Sequence, residues 1–177
     1  PIFKFSVVRY GNVMGSRGSV IPFFQQKKEN GILPITDKRM TRFNITSKEG
    51  VDFVLQCFEK MWGGELYVPK IPSYRILDVA EAIGPECKHE IIGIRPGEKL
   101  HEEMITASDS YSTVDMGKYF AILPQADPRL RDTYVNEMKA KPMVPGNSYN
   151  SKDNDTFLSV EELRELIKEH LDAAASH

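Results

Sequence analysis

Three arginines lie at loop or strand-end positions where a guanidinium group could bind an anion. They are Arg17 in a Gly-Ser-Arg-Gly-Ser run, Arg42 in Met-Thr-Arg-Phe, and Arg95 in Ile-Arg-Pro-Gly-Glu. A guanidinium group is always charged, and its planar fork of donors matches phosphate and carboxylate oxygens. A single arginine of this kind is usually solvated or salt-bridged. The three together predict an anionic ligand, and a nucleotide sugar fits this description.

The glycine-bearing loop around Arg17 carries further candidates. Asn12 follows a predicted strand, and its amide could hydrogen-bond a phosphate or sugar oxygen; the alternative is that it caps its own turn. The run 15–19 could bring backbone N–H groups close to an anion at the start of a predicted helix near Val20. This run matches neither the Rossmann glycine fingerprint nor a P-loop, so it indicates an anion site without identifying the ligand.

The segment 95–99 predicts a fixed direction for the Arg95 side chain. Pro96 and Gly97 form a tight turn at a strand end, and a helix that begins near Glu98 would add positive potential at its N-terminus. The alternative is a surface ion pair between Arg95 and either Glu98 or Glu102.

No residue pattern indicates a catalytic base or nucleophile. None of the seven tyrosines is followed four residues later by lysine, and no Ser-His-Asp or Cys-His arrangement stands out. The motif His-Glu-Glu at 101–103 lacks a second histidine, so we interpret it as a solvated helix face. Cys57 falls on an apolar helical face where a buried thiol is expected, and Cys87 is isolated from it. The four histidines show no ligand spacing, so no metal is predicted.

Composition excludes two classes of partner. The formal net charge is −2 and 27% of residues are charged, which gives no basic footprint for nucleic acid. No apolar run approaches the roughly 20 residues needed to span a bilayer. We interpret the protein as cytoplasmic, with no nucleic-acid or membrane partner.

Short strands alternating with amphipathic helices predict an α/β fold. We predict strands at 5–9, 33–36, 40–45, 66–68 and 90–94 and a hairpin at 113–123, and helices at 20–26, 47–61, 76–83, 98–104 and from Ser159 onward. Residues 124–156 are interpreted mostly as extended loop. We expect strand 5–9 to be buried. We expect helix 47–61 to have an apolar face of Val51, Val54, Leu55, Phe58 and Met61, and helix 76–83 to be buried through Ile76, Val79, Ala80 and Ile83. Because ligands of open α/β sheets bind beyond the carboxyl ends of the strands, the arginine loops should form the site.

A β-run begins within a few residues of Pro1, with no earlier element to pair with it. A buried strand needs hydrogen-bonding neighbours, so we expect a segment to precede it.

Several segments, taken in order, resemble the C-terminal half of the inverting UDP-N-acetylglucosamine 4,6-dehydratases, which belong to the extended short-chain dehydrogenase/reductase family. The resemblance rests on residues 6–22, 33–37, 40–43, 69–73, 95–103 and 157–163 and covers essentially the whole chain. It implies the last Rossmann strand or strands and a substrate loop in residues 1–30, and the smaller α/β substrate-binding domain in residues 31–177.

The resemblance also implies a reaction and a cofactor. NADP takes a hydride from C4 of the sugar, water is eliminated across C5 and C6, and the hydride returns to C6 with inversion at C5. The glycine-rich cofactor loop and the Tyr/Lys pair of the family belong to its N-terminal half, so this chain alone is expected to be inactive. Such enzymes serve bacterial surface-polysaccharide or pseudaminic acid biosynthesis, and a homo-oligomer is expected.

Residue roles carried over from the family are as follows. Asn12 should contact the phosphate or sugar, and Arg17, Gly18, Ser19 and Val20 should line the uridine side. Arg42 and Arg95 should hold the pyrophosphate, with Glu98 near the ribose or uracil, and Tyr10 and Gly11 should abut the nicotinamide. The alternatives are retention at C5, a UDP-sugar C4 epimerase, and a non-catalytic module that binds nucleotide sugars or assembles subunits.

Overall fold

A computed structural model describes residues 3–16, 18–124 and 128–175. Two compact units are interleaved along the sequence. The first contains the residues up to Tyr10, Lys48–Lys70 and Glu103–Asn150, and the second contains Gly11–Ser47, Ile71–Glu102 and the residues from Ser151 onward. Both units draw residues from both sides of position 30, and the predicted domain boundary there stays a prediction.

Helices and strands alternate through most of the described chain. The helices are α1 (Val20–Lys28), α2 (Ser47–Lys60), α3 (Ile76–Ile83), α4 (Pro128–Asn136) and α5 (Val160–Ala175), with a 3₁₀ turn at Asp109–Ser112. The strands are β1 (Val7–Val8), β2 (Asn12–Val13), β3 (Ile32–Ile35), β4 (Thr41–Ile45), β5 (Leu66–Pro69), β6 (Ser73–Arg75), β7 (Lys88–Ile91), β8 (Glu103–Ile105), β9 (Thr113–Asp115), β10 (Tyr119–Ile122), β11 (Lys141–Pro142) and β12 (Tyr149–Asn150). The predicted α/β class is confirmed.

The first unit is built on a five-stranded sheet in the order β1-β5-β10-β9-β11. Strand β1 runs parallel to β5, and the other neighbours are antiparallel, including the predicted hairpin of β9 and β10. Tyr67 of β5 and Tyr119 and Ala121 of β10 belong to a core that also contains Phe53 and Cys57 of α2 and Tyr134 of α4. The predicted burial of Cys57 is confirmed.

The second unit combines two small sheets with three helices. Strands β2, β4 and β6 form one sheet, with β2 parallel to β4, and the parallel pair β3 and β7 forms the other. Its core contains Phe24 of α1, Leu33 of β3, Val79 of α3 and Leu163 of α5, each at most 1% exposed. This unit carries the candidate site.

Local sequence signals place α3 and α5 correctly. Helix α3 buries the four predicted residues Ile76, Val79, Ala80 and Ile83. Helix α5 begins with a capping box, in which the Glu162 N–H donates to Ser159 Oγ (3.2 Å) and the Ser159 N–H donates to Glu162 Oε2 (2.8 Å). Reciprocal capping of this kind satisfies donors that no helical carbonyl can reach.

Three secondary-structure predictions differ from the structure. The segment predicted as helix 98–104 is irregular up to His101, and β8 begins at Glu103. Its carbonyl groups accept hydrogen bonds from β4, because Arg42 binds the Lys99 and Leu100 oxygens and the Thr41 N–H binds the Leu100 oxygen. Residues 124–156 include helix α4 and two short strands as well as loop, and the strand predicted at 90–94 lies at Lys88–Ile91 instead.

Two burial predictions are also wrong. On α2 the buried residues are Gly50, Phe53 and Cys57. Four of the five residues of the predicted apolar face are exposed, with Phe58 at 73% and Leu55 at 58%, whereas Met61 packs partly against the core. Strand β1 is shorter than predicted, and Phe5 and Val7 before and within it are 78% and 57% exposed. The periodicity therefore predicted the helix correctly but not which side contacts the core.

Across the described residues, no helix combines the length and apolar character needed to span a membrane.

Candidate functional site

One cavity of about 210 Å³ in the second unit is lined by residues that the sequence singled out. Every predicted substrate-binding residue that the structure describes contributes to its wall: Asn12, Gly18, Ser19, Val20, Arg42, Arg95 and Glu98. The eighth, Arg17, lies outside the described residues. Two of the three arginines that predicted an anionic ligand thus face one cavity.

The N-terminus of α1 forms one wall of the cavity. Ser19 is the N-cap residue but makes no capping hydrogen bond, and its Oγ is buried without a hydrogen-bond partner among the described residues. The first turn contains no acidic residue. Gly18 has φ +77°, a conformation that favours glycine, and a side chain there would meet no neighbour within 4 Å. The helix dipole and an unpaired hydroxyl donor therefore both favour an anion at this wall.

Arg42 is held firmly in place on β4. Its Nη1 donates to the carbonyl oxygens of Thr41 (2.7 Å) and Leu100 (3.1 Å), and its Nη2 donates to that of Lys99 (2.8 Å). Only 14% of the side chain is exposed. Arg42 therefore fixes the segment that carries Arg95, and it brings a full positive charge to the cavity wall.

Arg95 and Glu98 belong to a tight turn. The Arg95 N–H donates to Glu98 Oε2 (3.2 Å), and the Glu98 N–H donates to the Arg95 carbonyl oxygen (3.0 Å). Within the described residues the Arg95 guanidinium has no hydrogen-bond or ion-pair partner, so the surface ion pair with Glu98 or Glu102 is not formed. Arg95 is exposed, and its guanidinium group is available for a ligand.

Asn12 and Glu102 form a polar contact next to the cavity. The Asn12 side-chain amide faces the Glu102 carboxylate. Because a carboxylate only accepts hydrogen bonds, we assign the amide nitrogen to this side, at 2.5 Å from Oε1 and 3.1 Å from Oε2. Burial raises the pKa of Glu102 above its usual range, although the Phe43 N–H and the charges of Arg42 and Lys99 act in the opposite direction. The solvated helix face predicted for Glu102 is therefore wrong, because the carboxylate turns inward toward β2 and β4.

The two residues predicted to abut a nicotinamide lie in different units. Tyr10 belongs to the first unit, and its side chain is 39% exposed. Gly11 begins the second unit, where a Cβ at this position would lie 2.4 Å from the Cβ of Phe43. The protein itself fills the space beside Gly11, so the missing side chain is explained by packing against Phe43. The cofactor contact stays a prediction.

Several lining residues were missed by the sequence analysis. They are Phe23, Pro34, Thr36, Met40, Tyr74, Ile76 and Ile92. Thr36 and Ile92 directly follow the parallel strands β3 and β7, so the rule that ligands bind at the carboxyl ends of parallel strands could have found them. Tyr74 is buried, which raises its pKa. The apolar members give the cavity a surface suited to a ring or a nucleobase.

The fold and the cavity define an α/β protein with a pocket suited to an anionic ligand. The chain belongs to the family described as polysaccharide biosynthesis protein, whose model matches residues 2–124. It is 49% identical over 170 residues to the inverting UDP-N-acetylglucosamine 4,6-dehydratase of Campylobacter jejuni. The aligned region covers 93% of this chain and 51% of that relative. The resemblance found in the sequence motifs is thereby confirmed.

Other relatives extend this picture. The chain is 37% identical over 170 residues to the UDP-glucose 4-epimerase of Rickettsia bellii, covering 92% of this chain and 49% of the relative. The X-ray structure of Pen from Bacillus thuringiensis is similar with a TM-score of 0.79 and 33% sequence identity, over 95% of this chain and 51% of that one. The chain thus spans about half the length of the curated relatives it matches.

Proposed function

We propose that this chain binds a UDP-sugar, UDP-N-acetylglucosamine, as the substrate-binding half of an inverting 4,6-dehydratase in polysaccharide biosynthesis. The observation that carries the proposal is one cavity that combines Arg42, Arg95 and the open N-terminus of α1. A diphosphate carries two negative charges close together, and this wall offers two cations and a helix dipole. The name of the Campylobacter jejuni relative supports the choice of sugar.

Binding to this chain tests the first part of the proposal. Calorimetric titration should show that UDP-N-acetylglucosamine and UDP both bind and that N-acetylglucosamine alone does not, because the diphosphate provides the main contact. Arg95→Ala should weaken binding by about 1–2 kcal/mol, because it removes a charge-assisted hydrogen bond whose strength is reduced by solvent exposure. The matched control is Arg164→Ala, which removes an exposed arginine of α5 and should leave affinity unchanged. Equal affinity in Arg95→Ala would remove this arginine from the site.

Catalysis requires groups that we expect elsewhere in such an enzyme. The chain has no Tyr-x-x-x-Lys pair, and we propose that it is inactive alone. Mixing it with the separately produced N-terminal half of the Campylobacter jejuni dehydratase should restore dehydration of UDP-N-acetylglucosamine. Binding without any restored reaction would favour the alternative of a non-catalytic nucleotide-sugar module.

NADP remains part of the proposal through the resemblance alone. When bound, this cofactor accepts and returns a hydride. The described residues do not provide a fit for it by themselves, because the space beside Gly11 is filled by Phe43. Homo-oligomer formation is likewise proposed from the family, and light scattering of the purified chain tests it.

The similarity to a UDP-glucose 4-epimerase supports a second candidate function. An epimerase returns the hydride to C4, whereas a dehydratase leaves a 4-keto-6-deoxy sugar. NMR of the product from the mixed halves distinguishes the two reactions and also gives the configuration at C5.

A further inference from the structure

Glu102 is fixed at the end of the segment that carries Arg95. Its backbone N–H donates to Ser151 Oγ (2.9 Å), and its carbonyl oxygen accepts from the Ser151 N–H (2.8 Å). Its side chain turns toward β4, where Oε2 accepts from the Phe43 N–H (2.9 Å) and Oε1 lies 3.8 Å from Arg42 Nε. Ser151 therefore fixes the backbone of Glu102, and the Phe43 N–H fixes its carboxylate.

The same carboxylate determines the orientation of the Asn12 amide. Strand β2 pairs with β4 in a parallel register that sets Asn12 beside Asn44, two residues beyond Arg42. An ionised carboxylate only accepts hydrogen bonds, so the Asn12 NH₂ group must face it and the amide oxygen must point away from it. Asn12 also lines the cavity, and with its amide nitrogen bound to Glu102 the side-chain oxygen is the group left for a ligand.

We propose that Glu102 is a positioning residue of the pocket, which holds Asn12 by its amide nitrogen so that the Asn12 carbonyl oxygen accepts a hydrogen bond from a hydroxyl or N–H group of the bound nucleotide sugar. The proposal rests on the proposed function for the identity of the ligand. It assigns Asn12 a donor on the sugar, ribose or base, and not a phosphate oxygen, since two acceptors repel each other. The phosphates are left to the arginines and the α1 N-terminus.

The charge state of Glu102 gives the proposal a distinctive signature. Arg42 of β4 and Lys99 of its own segment act on its charge, and the buried hydroxyl of Tyr74 on β6 also senses it. The neighbouring His101, whose pKa is lowered by burial, is present in every variant compared. Burial outweighs these cations and raises the pKa of Glu102, so it takes up a proton at a higher pH than a free glutamate. Once protonated, the group can donate, and Asn12 is free to turn its amide around.

The experiment compares the unmodified chain with Glu102→Gln, using UDP-N-acetylglucosamine as the probe from about pH 5 to about pH 8, where its diphosphate diester does not titrate. Affinity of the unmodified chain should fall as pH drops through the pKa of Glu102. Glu102→Gln should bind the probe about 3- to 10-fold more weakly at the upper pH, because one hydrogen bond to the ligand is lost. Its affinity should not depend on pH. The control is Glu103→Gln, which removes the neighbouring exposed carboxylate and should behave like the unmodified chain.

A second measurement does not need the ligand. The side-chain amide signals of Asn12, assigned by their loss in Asn12→Ser, should follow the titration of Glu102 in the unmodified chain and lose that dependence in Glu102→Gln. Circular dichroism establishes that each variant is folded, and Glu102→Asp, which keeps the charge, should retain the pH dependence of binding.

The outcomes separate the two proposals. The positioning role is refuted, and the proposed function stands, if the unmodified chain binds and Glu102→Gln has the same affinity and pH profile. The same holds if the Asn12 amide signals do not change as Glu102 titrates. If the folded, unmodified chain binds no UDP-N-acetylglucosamine, the proposed function fails, and the ligand contact assigned to Asn12 fails with it.

Discussion

Glu65 is the most deeply buried carboxylate among the described residues, at 1% exposed, and its replacement should destabilise the first unit. Each of its oxygens accepts one backbone N–H and one hydroxyl. Oε1 accepts from Trp62 N (2.7 Å) and Tyr134 Oη (2.9 Å), and Oε2 accepts from Gly63 N (2.8 Å) and Ser6 Oγ (2.6 Å). Burial alone would raise the pKa of Glu65, but these hydrogen bonds outweigh it and lower the pKa below the usual range.

Glu65→Gln preserves the shape but replaces one acceptor oxygen by an NH₂ group. Whichever oxygen is lost, one backbone N–H and one hydroxyl then face a donor. The hydroxyl can rotate away, since Tyr134 already has Tyr67 Oη at 3.0 Å, whereas the backbone N–H cannot. Because one buried backbone N–H loses its acceptor and one hydroxyl hydrogen bond is weakened, we expect the free energy of unfolding to fall by about 2–4 kcal/mol.

Urea unfolding followed by fluorescence measures this loss selectively. The chain has a single tryptophan, Trp62, whose ring lies 5.3 Å from that of Tyr134, so its emission reports on the surroundings of Glu65. Glu59→Gln, an exposed change on α2, should shift the free energy by no more than about 0.5 kcal/mol. The unmodified chain should lose the Glu65 contribution as pH falls through its lowered pKa, so the gap to Glu65→Gln should narrow in acid. A gap below about 0.5 kcal/mol at neutral pH would show that the carboxylate does not anchor this turn.

Two further changes test other parts of the structure. Gly15 has φ +69°, and a Cβ there would lie within 2.4 Å of three ring atoms of His170, so Gly15→Ala should destabilise the second unit by about 1–3 kcal/mol, measured by circular dichroism in urea. Adding His170→Ala should recover the part due to the clash but not the part due to φ; no recovery would contradict the contact. Burial raises the pKa of Cys57 to about 11, so in a Cys87→Ser background its thiol should react slowly with a disulfide reagent near neutral pH until urea unfolds the chain. Fast reaction of the native chain would contradict its burial.

The parts of the fold that the sequence predicted are those set by neighbouring residues. Helix α3 shows its apolar period within eight residues, and the capping box of α5 lies within four. The predicted helix at 98–104 failed because Arg42, 58 residues away from Leu100, takes the carbonyl oxygens that a helix would use. Helix α4 was missed because its buried residue, Tyr134, is held by Glu65 at a separation of 69 residues.

The candidate site divides in the same way. Asn12, Arg42 and Arg95 were found from residue type and loop position, and the structure places them on one cavity. The role of Glu102 could not be found from its His-Glu-Glu context, because its partners are a side chain on β2 and a backbone N–H on β4. Residue type identifies side chains that can contact a ligand. The residues that orient those side chains become visible only when the strand register is known.

The two described arginines of the cavity should respond differently to the same conservative change. Arg42 uses N–H donors of its planar guanidinium group on three carbonyl oxygens, a pattern that the ammonium group of lysine cannot reproduce. Arg42→Lys should therefore lose about 1–3 kcal/mol of stability and weaken UDP-N-acetylglucosamine binding, since the segment with Arg95 loses its anchor. Arg95→Lys keeps the charge of an exposed side chain and should bind within about threefold of the unmodified chain at unchanged stability. Calorimetry measures the affinity of both variants, and urea unfolding measures their stability. Equal losses of affinity and stability in the two variants would show that the internal hydrogen bonds of Arg42 do not give it a role different from that of Arg95.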